Sequence, residues 1–490
     1  MAAALPLIAC ALPAAAALVV RSDRLRAWCT VAALIAAPIV LVLHVADASQ
    51  VAGLRHHPAL LAAAGAGGLG FVAVLAAVFA RVPGAFPIAA VATLPLRIPL
   101  SVGGSSSNLL LGLYLVIAAG ALAWAVPRIA GRAPAGDQSA TSAGALEWAL
   151  AATLVLYAVQ SGYSGDTGRA TENVVFFYVP FAVLYVVFAR LDWRPRLLGR
   201  ALTVLGGLAV ALALVGYVEF ATRHLFLNPK VIASNQVEDY FRVNSLFFDP
   251  NIFGRFLVVV LLGVMGWMLW HRGARGLARG GVAIAVIFGG LVLTLSQSSF
   301  VALLAGLGVL AALRWDARRT IKITAGLAVL AVAGGLLTGA VDLSSSSATK
   351  QSTSGRSDLI SGGVNLFASR PLQGHGSGSF SRAYRRAEHV SAERATSASH
   401  TIPVTVAAEQ GLLGLLAYLA LVGFGVTRLL RGARRSVARA VVAAAFVALV
   451  VHTLMYAAFL EDPLAWALLG VGSALAGAAP PATRRDPEPA

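Results

Sequence analysis

The residue with the clearest chemical potential is His400, which stands just before an apolar segment that begins at Pro403. Thr401 is suited to cap a helix there, so His400 is expected near the positive end of a helix dipole, where the imidazolium is disfavoured. A neutral histidine can take a proton from a hydroxyl group, which predicts a general base. Glu409, one to two turns along, is expected to orient a neighbouring group. The alternative is a histidine that faces lipid headgroups or only makes a structural hydrogen bond.

Two arginines flank a second helix start, which Pro250 marks. Arg242 precedes this start, Arg255 follows it, and Asn251 lies between them. Guanidinium groups on both sides of one helix start are suited to clamp a diphosphate, because each presents a planar fork of donors. The alternative is that both side chains only extend toward the membrane surface. The residues by themselves leave both interpretations open.

The chain between these two helix starts contains a polar, basic insert. Within it, apolar residues recur at helical spacing, which predicts an amphipathic helix on the membrane surface. These residues are Leu359, Ile360, Gly363, Val364 and Phe367. The helix is expected to end at Arg370, because the residue before a proline disfavours the helical region.

Three alternate glycines follow, at positions 374, 376 and 378. Successive backbone amides in such a stretch can converge on an anion, but no strand feeds a helix here, so a nucleotide site is disfavoured. A short basic helix should come next, with Arg382, Arg385 and Arg386 on one face. The alternative for that face is contact with solvent or lipid headgroups.

The elements that must position these residues are membrane helices. Hydrophobic residues make up 58% of the 490 residues and charged residues only 12%, with a mean hydropathy of +0.79, which excludes a soluble globular protein. We predict an all-α polytopic membrane protein with about 12–15 transmembrane helices. The apolar runs cover residues 4–20, 27–44, 58–80, 85–100, 107–126, 144–161, 173–189, 200–221, 252–270, 280–295, 297–313, 320–341, 403–427, 438–458 and 463–479.

When the chain is traced through these predicted spans, the loops rich in arginine and lysine all fall on the same side of the membrane. The positive-inside rule places that side in the cytoplasm. They contain Arg21, Arg24 and Arg26; Arg190, Arg194, Arg196 and Arg200; Arg272, Arg275 and Arg279; Arg314, Arg318, Arg319 and Lys322; and Arg428, Arg431, Arg434 and Arg435. We therefore expect transmembrane helices in 1–341, an exterior catalytic loop in 342–402, C-terminal transmembrane helices in 403–480 and a cytoplasmic tail in 481–490.

Several degenerate motifs occur in a fixed order between about residues 200 and 425. They are Arg242 with Pro250-Asn251, Thr294-Leu-Ser296, Gly355-Arg356, Arg370-Pro-Leu-Gln-Gly374-His-Gly376-Ser-Gly378, Ser399-His400, and Ala408-Glu409-Gln-Gly411-Leu-Leu-Gly414. As an ordered set, they resemble the O-antigen ligase and O-antigen polymerase superfamily of bacterial membrane glycosyltransferases.

The resemblance implies a GT-C-like fold with short helices in a large periplasmic loop, in a multi-pass protein of the bacterial inner membrane. It implies transfer of a glycan from a polyprenyl (undecaprenyl) diphosphate carrier to a hydroxyl of a glycan, lipid or glycolipid acceptor. The reaction would be inverting and would use no metal ion, cofactor or nucleic acid. The sequence contains no Asp-x-Asp pair, which agrees with a reaction that needs no metal ion.

Carried over to this chain, the resemblance implies that Arg242 and Arg356 bind the diphosphate. It also implies that His400 removes the proton of the acceptor hydroxyl. Further candidates for substrate binding are Asn251, Arg255, Arg370, Gly374, Gly376, Gly378, Arg382 and Glu409. The alternative function is a flippase or transporter of lipid-linked oligosaccharides, which also needs many spans and a basic cavity but no histidine at a helix start.

Overall fold

Helices dominate the computed structural model, as long apolar runs in a membrane chain require. The structure describes residues 4–45, 58–96, 98–102, 105–132, 143–226, 231–232, 241–271, 273–315, 318–319, 322, 326, 348–389 and 398–477. The first half contains α1 (Leu5–Val19), α2 (Asp23–Val45), α3 (Pro58–Arg81), α4 (Ala85–Thr93), β1 (Ile98–Val102), β2 (Ser105–Leu109), α5 (Leu111–Ile129), α6 (Ala145–Gln160), α7 (Thr167–Glu172), α8 (Val179–Phe188) and α9 (Pro195–Thr222).

The second half carries the segments that the motifs singled out. It contains α10 (Pro250–Trp270), α11 (Ala274–Leu293), α12 (Gln297–Arg314), α13 (Ala348–Ser369), α14 (Phe380–Glu388), α15 (Ile402–Leu430), α16 (Val437–Leu454) and α17 (Pro463–Gly477). Short 3₁₀ turns lie at Ser161–Tyr163 and Ala433–Arg435, and a π-helical segment at Asn173–Tyr178 joins α7 to α8.

Within the described ranges, nine helical stretches are long and apolar enough to cross a membrane, judged by length and composition. They are Asp23–His44, Leu111–Ile129, Thr167–Phe188, Pro195–Thr222, Pro250–Trp270, Ala274–Leu293, Gln297–Arg314, Ile402–Arg435 and Val437–Leu454; shorter apolar helices lie at Leu5–Val19, Gly65–Arg81 and Pro463–Gly477. The predicted all-α polytopic membrane fold is confirmed.

Two predicted spans are wrong in detail. The run 85–100 forms only the nine-residue α4, because Pro95 follows its end, and the chain then enters an antiparallel hairpin in which Ile98 pairs with Leu109. The run 438–458 ends as a helix at Leu454 and continues into a loop, residues 455–462. The run 320–341 lies almost wholly outside the described residues, as does the tail 481–490.

Two helices form the centre of the bundle. In α8, every residue from Phe181 to Phe188 is at most 1% exposed, and in α10 most residues from Pro250 to Val264 are buried. A helix that is apolar all round must be surrounded by other helices or by lipid, and these two are surrounded by protein.

The insert contains the predicted amphipathic helix, which is α13. Its ending at Ser369, just before Arg370-Pro371, agrees with the prediction. Its burial differs from the expected membrane-surface position, because Leu359 and Leu366 pack with Phe380, Tyr384 and Ala408 of α14 and α15. The side with Leu359 and Leu366 is therefore covered by protein, whereas Ile360 and Val364 of the predicted apolar set are exposed. We call the end of the bundle at which α13 and α14 lie the insert end.

Candidate active site

His400 lies directly before α15, at the insert end. Thr401 is the N-cap residue of this helix, as predicted, but its side chain makes no capping hydrogen bond. Instead, Ser399 N donates to Thr405 Oγ1 at 3.0 Å, and Ser399 Oγ donates to the carbonyl of Thr401 at 2.8 Å. His400 has φ of 59°, a conformation that few residues other than glycine adopt. The reversed backbone at His400 lets Ser399 and Thr405 close the turn, and the predicted Thr401 cap is wrong.

Tyr456 is a side-chain neighbour of His400 that sequence reasoning missed. The centroids of the two rings are 5.5 Å apart. The side chains of Asp249 and Asn251 lie next to the Tyr456 hydroxyl, and burial, followed by the charge of Asp249, raises the pKa of Tyr456 well above its ordinary value. Because a carboxylate only accepts, the hydroxyl is the group that can donate to Asp249. The apolar run 438–458 had predicted a membrane span, so Tyr456 was assigned to a helix instead of to the loop that follows Leu454.

Asn251 connects Tyr456 to the first predicted arginine. Its Oδ1 accepts from Arg242 Nη2 at 3.1 Å and from Ser296 Oγ at 2.8 Å. With both lone pairs of Oδ1 taken, the orientation of the Asn251 side chain beside Tyr456 is fixed. We call His400, Tyr456, Asn251 and Arg242 the His400 junction. The structure thus brings together three of the predicted site residues.

Arg242 is held in place by the backbone around it. Its Nε donates to the carbonyl of Thr294 at 2.9 Å. The next residues are fixed by Glu219 of α9, which is fully buried and whose carboxylate accepts from Asn244 N at 3.2 Å and Ser245 N at 2.7 Å. A buried carboxylate needs such donors, so Glu219 anchors the segment that carries Arg242.

Arg255, the second arginine, points into the protein. It is 1% exposed and forms a 2.7 Å ion pair with Asp462, which is equally inaccessible. Its two terminal nitrogens also donate to the carbonyls of Ala457 and Ala458, each at 2.6 Å. The geometry favours a structural role over the predicted role in binding, because Arg255 holds the 455–462 loop that carries Tyr456.

A directed chain of hydrogen bonds joins Arg255 to the His400 junction. Arg255 Nε donates to His452 Nδ1 at 3.2 Å, and since arginine cannot accept, the proton of the neutral imidazole lies on Nε2. His452 Nε2 is 3.1 Å from Ser298 Oγ, which is 3.2 Å from Ser296 Oγ. Ser296 in turn donates to Asn251. The orientation of Asn251 is therefore fixed from inside the membrane domain.

The backbone amides of the glycine-rich turn converge as the pattern allowed, but on a carboxyl group of the protein itself. Gly378 N and Phe380 N donate to the Glu409 carboxylate at 2.8 and 3.0 Å, and Gly376 N donates to the carbonyl of Glu409 at 2.7 Å. Residues 374, 376 and 378 all have positive φ, and a Cβ on any of them would lie within 3.0 Å of neighbouring backbone. Glu409 therefore orients the turn, and the turn's amides are already engaged.

The same turn enters a break in α15. Gly411 has φ of 65° and ψ of −160°, which interrupts the helix. Leu412 N donates to the carbonyl of Pro371 at 2.7 Å, and Gln160 Nε2 donates to the carbonyl of Gln410 at 3.1 Å. Backbone groups released by the break are thus satisfied by the insert and by α6. This contact fixes the insert relative to His400.

The remaining predicted residues lie around this centre. Arg356 belongs to α13, and its side chain lies outside the described residues. Arg370 is exposed, and Arg382 is bound to a neighbouring loop through Asp166 at 3.0 Å and the carbonyl of Gly165 at 2.9 Å. His375 Nε2 is 2.9 Å from Ser369 Oγ at the end of α13, and burial lowers the pKa of His375.

A polar cavity of about 190 Å³ lies beside the His400 turn. Ala398 and Ile402 line it from either side of His400, and Arg169, Asn173 and Glu461 contribute polar groups. The cavity thus combines one cationic side chain, Arg169, with three acidic ones, Glu409, Glu461 and Asp462, next to the candidate base. Such a lining is suited to polar ligand groups.

The motifs of this centre agree with a known family. Residues 281–419 match the O-antigen ligase family. The match confirms the predicted resemblance to the O-antigen ligase and polymerase superfamily, and together with the apolar helices it supports a multi-pass membrane glycosyltransferase of the O-antigen ligase type. The matched range contains Ser296, the glycine turn, His400 and Glu409, whereas Arg242 and Tyr456 lie outside it. No curated protein matches the chain.

Proposed function

We propose that this chain transfers a glycan from a polyprenyl diphosphate carrier to a hydroxyl group of a glycan, lipid or glycolipid acceptor. The family match supports glycosyl transfer of the O-antigen ligase type. The His400 junction is the observation that carries the finer proposal. It joins a candidate base to a candidate diphosphate ligand through Tyr456 and Asn251.

In the proposed reaction, His400 removes the proton of the acceptor hydroxyl as that oxygen attacks C1 of the donor's first sugar. A C–O bond forms at C1 while the bond from C1 to the diphosphate oxygen breaks, which inverts the configuration at C1. Arg242 and Arg356 bind the departing diphosphate, and their fixed charge stabilises it without a metal ion. The polyprenyl diphosphate carrier is the leaving group, and the glycan stays on the acceptor oxygen.

Tyr456 acts as a positioning residue in this proposal. Its ring restrains the imidazole of His400, and its hydroxyl lies next to Asp249 and Asn251. A base held in one orientation raises the fraction of bound acceptors that can react. Glu409 has a parallel role in the glycine turn, because its carboxylate fixes the backbone that leads toward α14.

The proposed arrangement has the insert end on the exterior face of the bacterial inner membrane, with residues 342–402 as the catalytic loop between the helices of 1–341 and 403–480. The basic loops at the opposite end support this orientation. Cysteine placed at Ser346 or Ser391 should react with an impermeant thiol reagent in intact spheroplasts. Labelling that requires lysis would reverse the orientation.

Reconstitution tests the proposed function directly. The purified chain in vesicles is given a polyprenyl diphosphate-linked glycan and an acceptor, with and without a metal chelator. A product with the mass of the acceptor plus the glycan, formed equally in chelator, is the expected result. Movement of the donor across the bilayer without a new product would indicate a flippase and reject the proposal.

A further inference from the structure

The end of the bundle opposite the insert contains a separate cavity of about 360 Å³. It lies where α5, α8, α15 and α17 end and where α2 begins, roughly 40 Å from the His400 turn along the 29 residues of α15. Arg128, Arg190 and Arg428 line it together with three carboxylates, and Trp193 and leucines form its apolar side.

The carboxylates of this cavity are engaged by other groups. Glu147 accepts from the Tyr185 hydroxyl at 2.7 Å and from Gly144 N at 2.8 Å. Asp192 accepts from Arg194 Nε at 2.6 Å, and Asp23 forms an ion pair with Arg26. These hydrogen bonds and ion pairs all go to groups other than Arg190 and Arg428, while Asp23 and Glu147 remain close enough to act on the pKa of Arg190.

Two of the lining arginines have no carboxylate partner among the residues that the structure describes. Arg190 Nη1 donates to the backbone carbonyl of Val186 at 2.8 Å. Arg428 Nε is buried, and no acceptor within the described part of the chain binds it. Both side chains are half-buried. Burial together with the charge of Arg26 lowers the pKa of Arg190 to about 10, although the nearby Asp23 and Glu147 act in the opposite direction. An added anion would favour the charged form of Arg190 and would give Arg428 Nε an acceptor.

We infer that this cavity binds a phosphate group between Arg190 and Arg428, either as the head of a phospholipid or as free phosphate. Planar guanidinium groups match tetrahedral phosphate oxygens through paired hydrogen bonds. The neighbouring Trp193 and Leu475 give the cavity an apolar side, which is suited to the acyl part of a lipid. This site is independent of the proposed transfer reaction, because it lies at the opposite end of α15.

Binding is tested on delipidated, purified full-length protein with three probes: phosphatidylglycerol, inorganic phosphate and a phosphate-free diacyl glycolipid. Native mass spectrometry counts bound lipid, and the shift in thermal midpoint reports phosphate. Binding of phosphatidylglycerol alone assigns a lipid headgroup, and binding of both phosphate probes assigns a site for the phosphate group itself. Equal binding of the phosphate-free lipid would overturn the inference.

Variants locate the site. Arg190→Gln and Arg428→Gln should each weaken phosphate binding by about tenfold or more, because each loses a charged hydrogen-bonding group. Arg196→Gln is the matched control, since Arg196 is exposed and near the same end. If Arg428→Gln folds poorly, Arg428→Lys takes its place. This variant keeps the charge and should bind phosphate with intermediate affinity. Unchanged affinity in well-folded Arg190→Gln and Arg428→Gln would place the phosphate elsewhere and refute the inference.

Discussion

Arg242 and Arg255 stand on either side of one helix start, yet they belong to different environments. Arg255 is 1% exposed and is bound to Asp462 and two backbone carbonyls inside the bundle. Arg242 is only partly buried and binds Thr294 and Asn251 at the insert end. Their spacing in the sequence is equally compatible with a diphosphate clamp. The partners of an arginine, more than its position, separate structural from ligand-binding roles.

The largest effect should follow loss of the interior arginine. Arg255→Ala leaves the Asp462 carboxylate buried without its partner, which should lower the free energy of unfolding by about 3–5 kcal/mol. Denaturant titration in detergent micelles measures it. The double variant Arg255→Met, Asp462→Leu removes both charges and should recover most of the loss. A stable Arg255→Ala protein that loses only donor binding would restore the clamp interpretation.

Loss of the candidate base comes next. His400→Asn should reduce glycan transfer by about 100-fold or more, the usual scale of general-base catalysis, while the protein still folds and binds donor. Asparagine is chosen because it tolerates the positive φ of this position. His389 has φ of 50° and is exposed, so His389→Asn is the matched control. Near-normal turnover by purified His400→Asn would contradict the assignment.

A conservative change at the other arginine should have an intermediate effect. Arg242→Lys keeps the positive charge but cannot hold Thr294, Asn251 and a diphosphate with one planar fork. We expect kcat/KM for the donor to fall by about tenfold, the scale of one charged hydrogen bond. Exposed Arg385 provides the control, as Arg385→Lys should leave kcat/KM unchanged. If Arg242→Lys has the same kcat/KM for the donor as Arg385→Lys, Arg242 does not bind the donor.

The smallest change concerns Tyr456. Tyr456→Phe keeps the ring beside His400 but removes the hydroxyl next to Asp249 and Asn251. We expect kcat to fall by about fivefold, the scale of one hydrogen bond, with little change in KM for the donor. Tyr456→Ala, which also removes the ring, should lower kcat further. A fall confined to KM would indicate contact with substrate instead of positioning of the base.

The sequence predicted the helices well, because backbone groups in a bilayer must be satisfied within each helix and apolar runs therefore reveal their position. It also predicted the helix start at His400 and the end of α13 before Pro371. Tertiary partners were beyond reach: the Thr401 side chain does not cap because Thr405 binds Ser399 instead. The glycine pattern indicated converging amides, but only the fold shows that Glu409 occupies them.

Tyr456 was missed for a related reason. A tyrosine among alanines, leucines and valines resembles a membrane span, and nothing local indicates that α16 ends at Leu454. The acidic pair Glu461-Asp462 was the available signal, since two carboxylates are costly in a span and favour a loop between helices. Recognising that loop would have placed Tyr456 at the insert end, although its contact with His400 depends on the packing of α15 against α16.

The interruption at Gly411 has a consequence for biogenesis. Pro371 and Gln160, which satisfy the backbone groups around it, both precede α15 in the chain, so they have been synthesised before this helix enters the bilayer. α15 therefore cannot complete its own backbone bonding as an independent unit, unlike most membrane helices. A chain from which residues 342–402 were deleted would leave the Leu412 amide unsatisfied, at a cost of about 1–3 kcal/mol. The insert therefore contributes to the stability of the membrane domain, and we expect its removal to destabilise α15 as well as to abolish the proposed chemistry.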